Sequence, residues 1–137
     1  MSKTANRITA LYCRTAQSSY IGIEAQKQLL LQYAKDRGLG MDEVAFYTDD
    51  GFSGTTLDRP AFQRMLAGIR AGEVGEVVAK DATRYGRNCL EVCELARHLR
   101  KQYGVKLLTV MDGDFLQAHD GRVAALLRAA LKGGARK

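Results

Sequence analysis

Arg84-Tyr85-Gly86-Arg87 carries the residue types best suited to holding an anion. Two guanidiniums three residues apart are planar, permanently charged and able to donate bidentately, so the pair is a candidate phosphate clamp. Gly86 allows a tight exit after the apolar run Val77-Val78-Ala79-Lys80, and a helix beginning near Arg87 brings both arginines to one side. The competing reading is a pair of surface arginines flanking a turn. Arg14, in Tyr12-Cys13-Arg14-Thr15-Ala16, and Arg59, in Asp58-Arg59-Pro60, are further candidates. Such a cluster stabilises a phosphorane-like transition state with neither a metal nor a proton transfer. For Arg59 a salt bridge or cap at a helix start competes with that role. Asp49 and Asp50 open a loop of Gly, Ser, Thr and Asp; a carboxylate beside arginines orients them, and an aspartate-rich turn is the alternative for either. Ser53, Thr55 and Thr56 are expected to bond backbone.

These residues need elements to place them. Apolar runs predict strands over 7–13, 44–47, 74–80 and 105–111. Helical spacing predicts helices over 22–37, from Pro60 to a stop at Gly72, over 88–103 and over 118–132. Residues 49–57 and 112–114 read as loops. Alternating strands and helices imply an α/β fold of three layers: a mostly parallel sheet of four to five strands with helices on both faces. Ligands of such sheets bind beyond the carboxyl ends of the strands. Arg14, the 49–59 segment and the Arg84/Arg87 pair all follow strand ends, which predicts one crevice holding at least three arginines.

The three segments, in this order, resemble the N-terminal catalytic domain of the serine recombinases, the resolvase/invertase family. The family pattern is Tyr-x-Arg-x-Ser, then Asp-Gly-x-Ser-Gly with Asp-Arg-Pro, then Arg-x-Gly-Arg. The likeness runs from about Ile8 to about Asp114. It implies a resolvase-like fold and site-specific recombination of DNA, with Arg14, Arg84 and Arg87 around the scissile phosphate, Arg59 assisting, and an aspartate at 49 or 50 in the site. Gln26 falls where the family has a glutamine near the site; a glutamine on a solvent-facing helix is its alternative. In the family a serine hydroxyl attacks phosphorus and forms a phosphoseryl link to DNA. That position is Ala16, whose methyl has no nucleophilic atom. Ser18 and Ser19 are the displaced nucleophile candidates. Thr83 stands where many members carry Asp or Ser, and keeps a hydroxyl without the acid/base carboxylate. Two readings stay open: a strand-exchange enzyme acting through the arginine site, against which Ala16 at the nucleophile position speaks, or a non-catalytic module that binds DNA or pairs with an active recombinase. In the family the last helix carries dimerisation, so its stripe of Leu116, Val123, Leu126, Leu127 and Leu131 implies a homo- or hetero-oligomer; packing on its own sheet is the alternative.

At 137 residues the chain is expected to be one domain over 1–137, with no C-terminal DNA-binding domain. The formal charge of +6 suits a polyanionic partner. Cys13, Cys89 and Cys93 are an odd count without a secretory segment, which points to a reducing, cytoplasmic setting. Cys89 and Cys93 lie one helical turn apart, lack a second ligand pair and read as small buried residues, so no metal and no cofactor are expected. A signalling receiver domain shares the alternation of strands and helices, but it needs an acidic cluster at the strand ends, where this chain carries arginines.

Overall fold

The computed structural model describes residues 7–119 and residue 129. Its frame is a five-stranded sheet of order β2-β1-β3-β4-β5. The strands are β1 (Ile8–Thr15), β2 (Val44–Asp50), β3 (Val74–Ala79), β4 (Lys106–Thr109) and β5 (Gly113–Asp114). The first four are parallel, and β5 pairs antiparallel with β4. The interior strand β1 is buried over Thr9–Thr15, and its alternation divides the core. Leu11 and Cys13 pack with Val78 and Leu108 against Ile23 and Leu30 of α1 (Tyr20–Asp36). Ala10 and Tyr12 face the opposite way, onto Phe62, Met65 and Ile69 of α2 (Pro60–Arg70) and Val92, Cys93, Ala96 and Leu99 of α4 (Cys89–Tyr103). The fold is the three-layer, mostly parallel α/β architecture that the sequence predicts.

Local chemistry sets the element ends. Ser19 caps α1 by accepting the Gly22 N–H at 2.9 Å, and Pro60 occupies the first turn of α2. The Asn88 side chain caps α4 at the Leu90 and Glu91 N–H groups, and Gly104 ends it with φ of 68°.

Three sequence expectations are corrected. The second strand does not stop at 47: Asp49 and Asp50 belong to β2 and pair with Arg14 and Thr15, because backbone pairing with β1 outweighs their poor strand propensity. The helix expected over 88–103 forms as α4, and a separate four-residue α3 (Ala82–Tyr85), capped by Asp81, precedes it. Residues 113–114, expected as loop, close the sheet as β5. Cys93 is buried as expected, but Cys89, in the first turn of α4, is exposed. Helical backbone is already present at 115–119; the rest of the helix expected over 118–132, with Val123, Leu126, Leu127 and Leu131, lies outside the described residues apart from residue 129.

Candidate functional site

The carboxyl ends of β1, β2 and β3 gather most of the polar residues singled out from the sequence, and the sheet divides them into two sides. On the side facing α2 and α4 the polar groups are buried, beneath a cavity of about 300 Å³ lined by Gly54, Arg59, Tyr85, Gly86 and the α4 residues Glu91, Val92 and Leu95. Asp49 is 1% exposed. Its carboxylate accepts the Ala61 and Phe62 N–H groups at 2.8 and 2.9 Å and the Tyr12 hydroxyl at 2.7 Å. A carboxylate from β2 thereby satisfies two orphan N–H groups at the start of α2, where the helix dipole favours a negative charge.

Arg59 is wholly buried, with its guanidinium carbon 4.0 Å from the centre of the Phe62 ring. It donates to the Thr56, Arg84 and Tyr85 carbonyls and to the Tyr12 hydroxyl, at 2.6 to 3.2 Å. Tyr12 thus links Asp49 to Arg59, and burial together with the Asp49 bond raises its phenol well above the ordinary range. Arg14, 4% exposed, donates to the carbonyls of Phe52, Thr83 and Arg84 at 2.8, 2.6 and 3.2 Å. Desolvation first, then the neighbouring Arg59 charge, lowers its pKa.

Three carbonyls at the end of α3, those of Thr83, Arg84 and Tyr85, therefore end on two guanidiniums. A four-residue helix leaves its carbonyls without intrahelical partners, and cations suit that terminus. Arg14 and Arg59 build the platform on which Arg84 and Arg87 stand. Gly54 lets the 51–58 segment close over it. A Cβ there would lie 2.8 Å from Arg14 Nη2 and 3.2 Å from Arg87 Cγ, and the Gly54 carbonyl accepts the Arg87 N–H at 3.3 Å.

The side facing α1 is open. Thr15, Gly22, Ala25, Gln26, Leu29, Lys80 and Arg84 line a cavity of about 220 Å³. Gln26 does not face solvent: it is 4% exposed, and its amide brackets the Arg14 backbone, accepting from the N–H at 3.1 Å and donating to the carbonyl at 3.0 Å. Arg84 Nη1 donates to the same carbonyl at 3.0 Å, while Arg84 Nε is buried with no hydrogen-bond partner. Cys13 points to this side, and burial pushes its thiol up to about 12.

Ala16 is exposed just beyond β1. The segment around it is tied to Asp50, which accepts from the Thr15 hydroxyl at 2.6 Å and the Ser19 N–H at 2.8 Å. Those bonds lower the Asp50 pKa. Ser18 is exposed, with its hydroxyl 3.4 Å from the Asp50 carboxylate; Ser19 Oγ is occupied in capping α1. The Thr83 hydroxyl donates to Asp81. Ser53 accepts the Thr55 N–H and Thr56 accepts the Asp58 N–H, the backbone roles expected of them.

The crevice of three arginines is revised accordingly. Arg14 and Arg59 are committed to backbone and buried on one side, Arg84 lines the cavity on the other, and Arg87 is exposed beside Gly54. Sequence reasoning missed Tyr12, Gly54, Lys80 and Asp81. Tyr12 was accessible from the alternation along β1, and Asp81 from an acidic residue placed two before Thr83, a local cap pattern.

Known proteins share the fold and part of the sequence. A "Putative DNA recombinase" from Bacillus subtilis (strain 168) is 29% identical over 92 residues, covering 67% of this chain and 18% of that protein's length. A resolvase family site-specific recombinase from Streptococcus pneumoniae superposes with a TM-score of 0.68 at 27% identity, over 95% of this chain and 93% of that one. The N-terminal catalytic domain of TP901-1 integrase shares the fold with a TM-score of 0.73 at 23% identity, over 95% and 97% of the two chains. Residues 9–135 match the family model described as "Resolvase, N terminal domain", and the chain belongs to that family.

Proposed function

We propose that this domain serves site-specific DNA recombination by engaging DNA phosphates through Arg84 with Lys80 on the open side of the strand ends and through exposed Arg87 beside Gly54, and that Ala16 leaves it without the nucleophile for strand cleavage. The observation that carries the reading is Arg84: a buried guanidinium Nε without a hydrogen-bond partner, on the wall of a cavity that Lys80 also lines. An unsatisfied buried donor on a cation favours an anionic acceptor. Arg14, Arg59, Asp49 and Gln26 act here as positioning residues that fix α3 and the end of β1. Thr83, bonded to Asp81, supplies no free acid or base.

Without a nucleophile the module contributes binding. Its partners are DNA and, through the helix that begins at 115–119, a second copy or an active recombinase. Trapping on a denaturing gel tests the reading. The unmodified chain is expected to give no covalent DNA adduct, and Ala16→Ser slow adduct formation. The exposed Ser18 hydroxyl beside Asp50 supports one second reading, a displaced nucleophile. An adduct from the unmodified chain that disappears in Ser18→Ala establishes it and removes the inactive one.

A further inference from the structure

Asp81 stands between Arg84 and any anion that would use it. Its Oδ1 lies 3.6 Å from Arg84 Nε, beyond hydrogen-bond reach but within ion-pair range, and both side chains are partly exposed. The same oxygen accepts the Thr83 N–H at 3.0 Å and the Thr83 hydroxyl, so the carboxylate is held in place by two donors. Arg84 is held as well, through Nη1 on the Arg14 carbonyl. The result is a fixed cation with a fixed counter-charge at its Nε edge.

We propose that Asp81 is an electrostatic gate on Arg84: a built-in carboxylate that competes with the incoming phosphate and keeps the anion affinity of the domain low. The inference rests on the reading of Arg84 as a phosphate ligand. A phosphate approaching Arg84 meets Asp81 as a like charge, and a like charge facing an anion site weakens binding. The pair is partly solvated, so the repulsion is moderate rather than prohibitive. Arg87 has no such partner among the described ion pairs, and Lys80 has none either.

Asp81→Asn separates charge from structure, because asparagine caps a helix as well as aspartate does. The probes are a short duplex DNA of arbitrary sequence, titrated at several salt concentrations, and inorganic sulfate. Asp81→Asn is expected to tighten DNA and sulfate binding by roughly three- to tenfold, with an unchanged thermal midpoint. Asp81→Glu, which keeps the charge, is expected to bind like the unmodified protein. In an Arg84→Ala background the gain from Asp81→Asn is expected to vanish. Unchanged or weaker binding in Asp81→Asn, while Arg84→Ala still loses affinity, overturns the gate and leaves the phosphate site standing. An equal gain in the Arg84→Ala background overturns it as a general charge effect. No loss in Arg84→Ala overturns the gate and the phosphate site together.

Discussion

The two sides of the sheet's carboxyl edge use the same residue type in opposite ways. On the α2/α4 side, Arg59 and Arg14 have surrendered their donors to carbonyls and a phenol, and the nearby carboxylate, Asp49, caps a helix. On the α1 side, Arg84 has one donor on a carbonyl and a buried Nε with no acceptor. Burial decides the difference. A guanidinium taken fully out of water must find acceptors for its N–H groups, so an enclosed arginine becomes structural. A guanidinium that stays partly exposed, as Arg84 does, keeps donors for a visitor. The adjacent aspartates repeat the lesson: Asp49 is buried at a helix start, and Asp50 is exposed and ties down the loop that carries Ala16.

The sharpest break of this contrast is Arg59→Ala against Arg87→Ala. Removing Arg59 takes the guanidinium donors from the Thr56 and Tyr85 carbonyls and the Tyr12 hydroxyl, so unfolding free energy is expected to fall by about 2–5 kcal/mol. Arg87 is exposed and its side chain makes no hydrogen bond or ion pair among the described residues, so its loss is expected to stay within about 0.5 kcal/mol. Urea denaturation measures both. Equal costs for the two variants would abolish the distinction between platform and display.

Next come the residues that hold the two sides together. Gly54 is buried and does not have a positive φ, so Gly54→Ala acts through contact alone, with its methyl driven onto Arg14. Overpacking of this kind is expected to cost about 1–3 kcal/mol. Gln26→Leu leaves the Arg14 N–H and carbonyl short of partners, at a similar cost of about 1–3 kcal/mol. Denaturation midpoints check both. A neutral Gly54→Ala would mean that the 51–58 segment moves freely away from Arg14.

Much of this arrangement is legible in the sequence and some of it is not, for a physical reason. Strands and helices follow from local apolar periodicity, so β1, α1, α2, β3 and α4 fall within a few residues of where the pattern puts them. Short elements carry too little pattern: α3 spans four residues and β5 two. The direction of a polar side chain at a strand end depends on partners far along the chain. Arg14 meets Phe52 and Thr83, and Asp49 meets Ala61 and Phe62. Spacing alone shows that these residues approach one edge of the sheet. It does not show which of them that edge will consume. Gln26 is the clearest case, since a polar residue in a helix reads as solvent-facing until the Arg14 backbone is found beneath it.

On the ligand side, the contrast predicts effects on salt dependence rather than on stability. Arg84→Ala and Arg87→Ala are each expected to lower the slope of log affinity against log salt for duplex DNA by about 1, since each neutralises about one phosphate. Exposed Arg64 on α2, outside the strand-end cluster, is the control and is expected to leave the slope unchanged. A slope that responds to Arg64 as strongly as to Arg84 would mean diffuse binding over the whole basic surface.

The smallest effect expected is that of Asp50, and it is visible only against pH. Its bonds from the Thr15 hydroxyl and the Ser19 N–H hold its folded pKa below the ordinary carboxylate value of about 3.9. A depressed carboxylate contributes stability that is fully present above its unfolded pKa and is lost as pH falls through the folded one. The difference in stability between the unmodified protein and Asp50→Asn is therefore expected to be greatest near neutral pH and to shrink below about pH 4. Because Asp50 is fully solvated, that difference is a small one, so hydrogen exchange gives the better readout. The Ser19 amide, now bonded to Asp50, is expected to exchange faster in Asp50→Ala, which removes the acceptor, while amides in the middle of β1 keep their protection. A gap that stays constant with pH, or a Ser19 amide that exchanges no faster, would detach Asp50 from the Ala16 segment. The open side would then have no carboxylate of its own fixing the position where a nucleophile would have to stand.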